Sequence, residues 1–168
     1  MTTRFFYAII IIESEKRKDF KTMTIKEFVK SIDKSYRVKQ GDAFYCECYD
    51  GVIYYNTDEF ADTEYTRLFN EFIVELADGE TLPEISDFTW ALLHEIGHCE
   101  TCWDVDDKME YATTKFFAKN ENKVDTTKAK REYMRLPKER CATEWAVEFV
   151  LENEEMVKEF DKSVVLGF

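Results

Sequence analysis

Histidine is almost missing from this chain: 168 residues contain two, so any chemistry needing imidazole has only these to draw on. Proline and glycine are also scarce, at two and five residues, and neither collects into a linker. With no repeat and no low-complexity stretch, one domain over 1–168 is the simplest partition. Net basic charge is lacking: 35 Asp and Glu against 23 Lys and Arg give a formal charge of −12 and a pI near 4.7. Phosphate recognition draws on clustered Lys and Arg, so a nucleic-acid partner is not expected. An acidic soluble protein of the cytoplasm is.

Long apolar runs are missing too. Phe5 to Ile12 is the strongest, and it falls far short of the roughly 20 residues that span a bilayer. It also lacks the pattern of a signal peptide. Only Arg4 precedes it, and Glu13-Ser14-Glu15-Lys16-Arg17-Lys18 follows where a small-residue cleavage site would stand. A buried strand is expected there, and no membrane partner. The five cysteines, at 46, 48, 99, 102 and 141, form an odd set without framework spacing, which fits reduced thiols inside a cell.

What the chain does have is core material, with 45% hydrophobic and 15% aromatic residues. Thr24 to Asp33 reads as a short helix capped by Thr24. Ala43 to Tyr49 and Val52 to Asn56 are β-rich runs around Asp50-Gly51, a dipeptide suited to a type I′ turn. Pairing across a two-residue turn sets Cys46 opposite Tyr55 and Cys48 opposite Ile53, with both thiols on the core face of Phe44. Tyr65, Leu68, Phe69, Phe72, Ile73 and Leu76 make a continuous helical stripe ended by Asp78-Gly79. Ser86 or Asp87 then caps a helix running to about Cys102. Trp103 to Pro137 is highly charged and reads as an irregular insertion with some helix. Pro137 opens a last strong helix, followed by a short acidic helix to about Asp161 and an apolar tail, Val164-Val165-Leu166. The expected class is α+β, with a strand-rich part over 1–60 carrying one helix. A mainly helical part follows over 62–161, with its insertion at about 103–137. A small antiparallel sheet would pack against a helical bundle.

The two histidines stand four apart, and Glu95 follows the first: His94-Glu95-Ile96-Gly97-His98. Chance placement would produce this about once in several hundred such chains. Residues i and i+4 of a helix share a face, so His94 and His98 can offer both imidazoles to one ion, with Glu95 to the side near its water. Such an ion needs a third protein ligand and an open position. No third histidine exists, which leaves carboxylates or thiolates. Glu139 lies on the helical stripe of Ala142, Thr143, Ala146 and Val150, where small side chains permit close approach to the histidine helix. Glu144 and Glu148 share a solvated face with Arg140. Gly97 inside a helix costs about 1 kcal/mol relative to Ala and calls for a packing reason, such as a second element passing close behind. Cys99-Glu100-Thr101-Cys102 is a CxxC, both a redox and a zinc motif, and Cys102 is the alternative third ligand.

Trp90-Ala91-Leu92-Leu93-His94-Glu95-Ile96-Gly97-His98 and Glu139-Arg140-Cys141-Ala142-Thr143-Glu144-Trp145-Ala146 together resemble the ImmA/IrrE-type minimal gluzincin metallopeptidases, whose pattern is HExGH followed by ExxAN-x-[FW]-A. The resemblance covers Trp90 to about Leu151, interrupted by an insertion longer than is usual in the family. It implies Zn²⁺ held by His94, His98 and Glu139, with Glu95 as the catalytic base. The family's Asn corresponds to Thr143, whose hydroxyl is left to support a histidine. Val52 to Asn56 would correspond to the edge strand on which an extended peptide pairs. Tyr111 and Tyr133 are both candidates for stabilising the oxyanion.

The expected activity is zinc-dependent cleavage of a peptide or protein substrate in a regulatory, phage or mobile-element setting, with the oligomeric state left open. The alternatives are a metal-binding interaction protein without turnover, and a metal-free structural or inhibitory acidic protein.

Overall fold

A computed structural model of the chain describes residues 22–57, 63–120 and 126–165. The expected strand at Phe5 to Ile12 lies outside these, as does Leu166. The described residues form a mixed α+β fold with seven helices and one three-stranded sheet.

Helix α1 (Ile25–Ile32) starts at a capping box: the Thr24 hydroxyl accepts from the Glu27 backbone N–H at 3.2 Å, and the Glu27 carboxylate accepts from the Thr24 N–H at 2.9 Å. Its Phe28 is fully buried and stacks on Phe160 with ring centroids 3.9 Å apart. The sheet consists of β1 (Arg37–Gln40), β2 (Tyr45–Glu47) and β3 (Val52–Tyr55), in the order β1-β3-β2. β1 runs parallel to β3 and β2 antiparallel to it, so the sheet is mixed rather than antiparallel throughout.

The hairpin departs from the expected register. A type I′ turn needs positive φ at both central residues, and only Gly51, at φ 60°, adopts it. The chain makes a 3₁₀ turn over Cys48–Asp50 instead, closed by Gly51 N–H donating to Cys48 C=O at 3.2 Å. Cys46 therefore opposes Ile53 rather than Tyr55, and Cys48 leaves the ladder. The slip is by two residues, an even number, so Cys46 keeps its core face.

Helix α2 (Thr63–Leu76) buries Leu68, Phe69, Phe72 and Ile73, and ends where Asp78 and Gly79 take φ of 47° and 90°. Helix α3 (Asp87–Thr101) is N-capped by Ser86. Asp161, nine-tenths buried, accepts from Ser86 N–H at 2.9 Å, Ser86 Oγ at 2.5 Å and Thr89 Oγ1 at 2.6 Å, placing a carboxylate at the positive end of α3. The charged stretch after Trp103 is more ordered than expected. It folds into α4 (Asp107–Asn120) and α5 (Thr127–Met134), which share a small apolar cluster of Phe116, Ala129 and Leu136. An exposed ion pair, Arg131 to Glu71 at 3.0 Å, and a part-buried one, Lys130 to Glu64 at 3.4 Å, join α5 to α2.

Helix α6 (Pro137–Glu152) begins with proline in its first turn, and α7 (Glu154–Val165) continues past Asp161 and buries Val164. The closest helix pair is α3 against α6. A Cβ on Gly97 would lie 2.3 Å from the Ala142 carbonyl oxygen, so only glycine admits this approach. Ala142 and Ala146, 0% and 1% exposed, complete the seam. Among the described residues no helix is long and apolar enough to cross a membrane.

Candidate metal centre

The seam between α3 and α6 sets the site. His94 and His98 are one helical turn apart on the face of α3 that meets α6, and Glu139 occupies the first turn of α6. One carboxylate oxygen, Glu139 Oε2, lies 3.3 Å from His94 Nε2 and 3.3 Å from His98 Nε2. The side chains are about nine-tenths buried, at 10–11% exposure.

Thr143 decides the tautomer of His94. Its hydroxyl has one proton, which goes to the Glu139 carbonyl oxygen at 2.8 Å. Towards His94 Nδ1, at 3.1 Å, it can only accept, so Nδ1 carries the hydrogen. That leaves the Nε2 lone pair facing the lone pairs of Glu139. Such an arrangement of acceptors requires something positive between them, whether protons or a cation.

Without a cation the electrostatics say the same. Burial pushes the His94 imidazole down, but its hydrogen bond to Glu139 and the charges of Glu95 and Glu139 outweigh this and raise it. Glu139, pushed up by burial, is pulled well below the usual carboxylate range by the two histidines. A tetrahedral ion with ligand bonds of about 2.0–2.1 Å has ligand–ligand edges of about 3.3–3.4 Å. The two histidine–glutamate separations match that edge, and the three donor atoms all lie within 4.8 Å of one another. The donor set therefore fits a divalent ion.

The donors open onto a cleft of about 540 Å³. β2 and its flank form one wall through Phe44, Tyr45 and Cys46, and Phe117 of α4 and Tyr133 of α5 form the other. Glu95 also faces the cleft. Burial raises its carboxyl above the usual range, and the two histidines oppose this.

Comparison with known proteins returns no matching family model, no matching curated protein and no matching solved structure. The site therefore has to be read from its own geometry.

That geometry brings together His94, Glu95, His98 and Glu139 as the sequence suggested. It separates the two tyrosines. Tyr133 lines the cleft, and burial and the adjacent Glu139 carboxylate push its phenol up, whereas Tyr111 is 68% exposed on α4 and takes no part. Cys102 does not intrude on the donors: its thiol is 4% exposed outside the cleft and donates to the Cys99 carbonyl oxygen at 3.2 Å. The strand beside the cleft is β2, not β3. Val52–Tyr55 is paired on both sides and cannot be the edge strand the resemblance implied. The place of Cys46 in the cleft lining with Glu95 was not foreseen. It depends on how β2 docks on α3, and strand periodicity says nothing about that.

Proposed function

We propose that this protein is a zinc-dependent metallopeptidase of the minimal gluzincin type, similar to the ImmA/IrrE peptidases, with His94, His98 and Glu139 as metal ligands and Glu95 as the catalytic base. The observation that carries this reading is the convergence of three buried donors, with both histidine–glutamate separations at a tetrahedral edge length, beside a second carboxylate, Glu95, in an open cleft. Zinc, when bound, supplies Lewis acidity towards a substrate carbonyl and towards water.

The chain's own groups do the rest. Thr143 holds His94 with Nδ1 protonated and Nε2 free. Glu95, its proton affinity raised by burial, takes a proton from the attacking water and passes it to the leaving amine. Tyr133 is the donor placed to stabilise the carbonyl oxygen as negative charge develops. The β2 segment Tyr45–Glu47 is hydrogen-bonded on one side by β3 and, among the described residues, by nothing on the other, which leaves an edge beside the cleft for an extended peptide. A cytoplasmic setting accords with five free cysteines and the acidic charge, and a regulatory or mobile-element role follows the family resemblance.

The second reading is a metal-holding interaction protein without turnover, favoured by the burial that raises the Glu95 carboxyl. One set of variants separates the two. Zinc content is measured on untagged protein, and cleavage on a peptide library. Glu139→Ala should lose zinc. Glu95→Gln should keep zinc and lose cleavage by about 10²–10⁴-fold. Cleavage unchanged in Glu95→Gln would refute the mechanism, and zinc retained at full affinity in Glu139→Ala would refute the ligand set.

A further inference from the structure

The floor of the cleft is a strip of α3. Asp87, Ala91, Glu95 and His98 all line it, so one face of the helix runs from its first turn to the metal donors. Asp87 stands two helical turns before Glu95, about 12 Å along the axis at a rise of about 1.5 Å per residue. Ala91, between them, keeps the floor low. Phe44 packs edge-on against Phe88 with ring centroids 5.4 Å apart, so the chain entering β2 passes over the Asp87 end of the helix. Tyr65 and Phe69 of α2, stacked with centroids 6.3 Å apart, add a second aromatic wall.

At the end of this apolar trough the charge of Asp87 has no counter-charge. Its Oδ1 accepts from the neutral Asn70 Nδ2 at 2.9 Å, and among the described residues no cation pairs with it. Lys138, the one Lys or Arg lining the cleft, stands next to Glu139 and is held by Glu110 at 3.0 Å. The helix dipole accounts for a carboxylate in the first turn of α3. It does not account for a half-buried one in the same trough as Tyr65 and Phe69, where a charge costs free energy until an opposite charge joins it. An apolar side chain would fill the trough and leave Asp87 unpaired. An acidic one would meet Asp87, Glu95 and Glu139 together. A lysine or arginine satisfies both parts, because its stem packs on aromatic rings while its head reaches a carboxylate.

We propose that Asp87 selects the substrate: the cleft takes a peptide that lays a lysine or arginine side chain over Ala91, against Phe44, Tyr65 and Phe69, with its cationic head on the Asp87 carboxylate. This rests on the reading of the cleft as a peptide site. An extended peptide beside β2 turns alternate side chains towards α3, the side on which Cys46 joins the core, and covers about 12 Å in about four residues. The cation therefore stands within about four residues of the bond presented to Glu95.

The test separates binding from turnover. Zinc-supplemented Glu95→Gln protein is titrated into short fluorescein-labelled alanine–serine peptides carrying one lysine, arginine, norleucine or glutamate at each position in turn, with anisotropy as the readout. At one position lysine or arginine should bind about 10–100-fold tighter than norleucine, the worth of one charge-assisted hydrogen bond. In the same background Asp87→Asn, which can still accept from Asn70, should bring the cationic peptides down to the norleucine level. Asp87→Glu should keep the preference, and Asp87→Lys should pass it to glutamate. If the Asp87 variants do not fold, Ala91→Leu, which raises the floor short of Asp87, should remove the same preference with zinc content unchanged. Norleucine bound as tightly as lysine, a cationic preference that survives Asp87→Asn, or no peptide bound at all would each overturn the proposal. Cleavage of the same peptides by the wild-type protein keeps the two readings apart. Glu95-dependent cleavage without a cationic preference would end this proposal and leave the peptidase reading standing, whereas a preference set by Asp87 without any cleavage would do the reverse.

Discussion

Gly97→Ala tests whether the α3–α6 seam holds the site together. On an exposed helix this change gains about 1 kcal/mol from propensity. Here the new Cβ would stand 2.3 Å from the Ala142 carbonyl oxygen and 3.0 Å from its carbonyl carbon and Cα. These are backbone atoms, with no rotamer to relieve the clash, so the helices must part by about 1 Å at this level to restore ordinary contact. Overpacking of that kind costs about 1–3 kcal/mol, and a rigid neighbour puts it at the upper end. Net of the helix gain, a loss of about 2 kcal/mol is expected, or a fall in Tm of about 4–8 °C for a chain of this size. The same separation carries Glu139 away from both histidines, one turn along each helix, so zinc affinity should drop at least about tenfold, equivalent to about 1.4 kcal/mol. Thermal melts with and without zinc and competition against a chromophoric chelator give both numbers. A Tm that rises by the propensity gain, with zinc affinity intact, would refute the close approach and the role assigned to it.

Thr143→Val keeps the shape and removes the hydroxyl between His94 Nδ1 and the Glu139 carbonyl, so zinc affinity should fall about 10–100-fold, and Thr143→Asn should recover part of it. A Thr143→Val protein binding zinc as wild type does would remove Thr143 from the site. pH should act on the apo and zinc forms in opposite senses. Glu139, held below its ordinary value of 4.5, stabilises the apo protein at neutral pH and loses that contribution in acid, while His94, raised above 6.5, contributes fully below 6.5 and less as pH rises through its folded value. Zinc competes with those protons, so the zinc-induced gain in Tm should grow between about pH 5.5 and about pH 8, and a gain that shrinks contradicts the ligand set. Asp161→Ala strands three donors at the start of α3 and should cost about 1–3 kcal/mol in urea unfolding, with the m-value unchanged.

Much of the architecture was legible because helical signals are local. Thr24, the Asp78-Gly79 stop and Pro137 each act within a turn of the helix they bound and stand where expected, and of Ser86 and Asp87 it is Ser86 that caps. The sheet was less legible. β1, Arg37–Gln40, is mostly polar and is a strand only because β3 lies beside it, a pairing that crosses from one part of the chain to another. The hairpin register turned on φ at a single residue, Asp50, which the dipeptide Asp-Gly leaves open between a two-residue turn and a 3₁₀ turn. The insertion misled through its charge. Its lysines and arginines meet glutamates of α2, so the polar pattern that suggested irregular chain is the exposed face of two docked helices.

The candidate donor set was legible for a reason that separates it from the cysteines. His94 and His98 share a face by helical periodicity alone, and Glu139 could be placed because Ala142 and Ala146 mark the one side of α6 that admits a neighbour. Each inference used one helix at a time. Cys102 satisfied the same spacing rule, one turn beyond His98, yet lies outside the cleft, because α3 gives way to a 3₁₀ turn at that residue and the thiol no longer follows the helical face. The packing of Cys46's strand on α3 needs a strand and a helix together, at a docking angle that neither periodicity contains. Motifs on one helix can therefore gather a candidate donor set, whereas neighbours across a strand–helix contact emerge only from the packed structure.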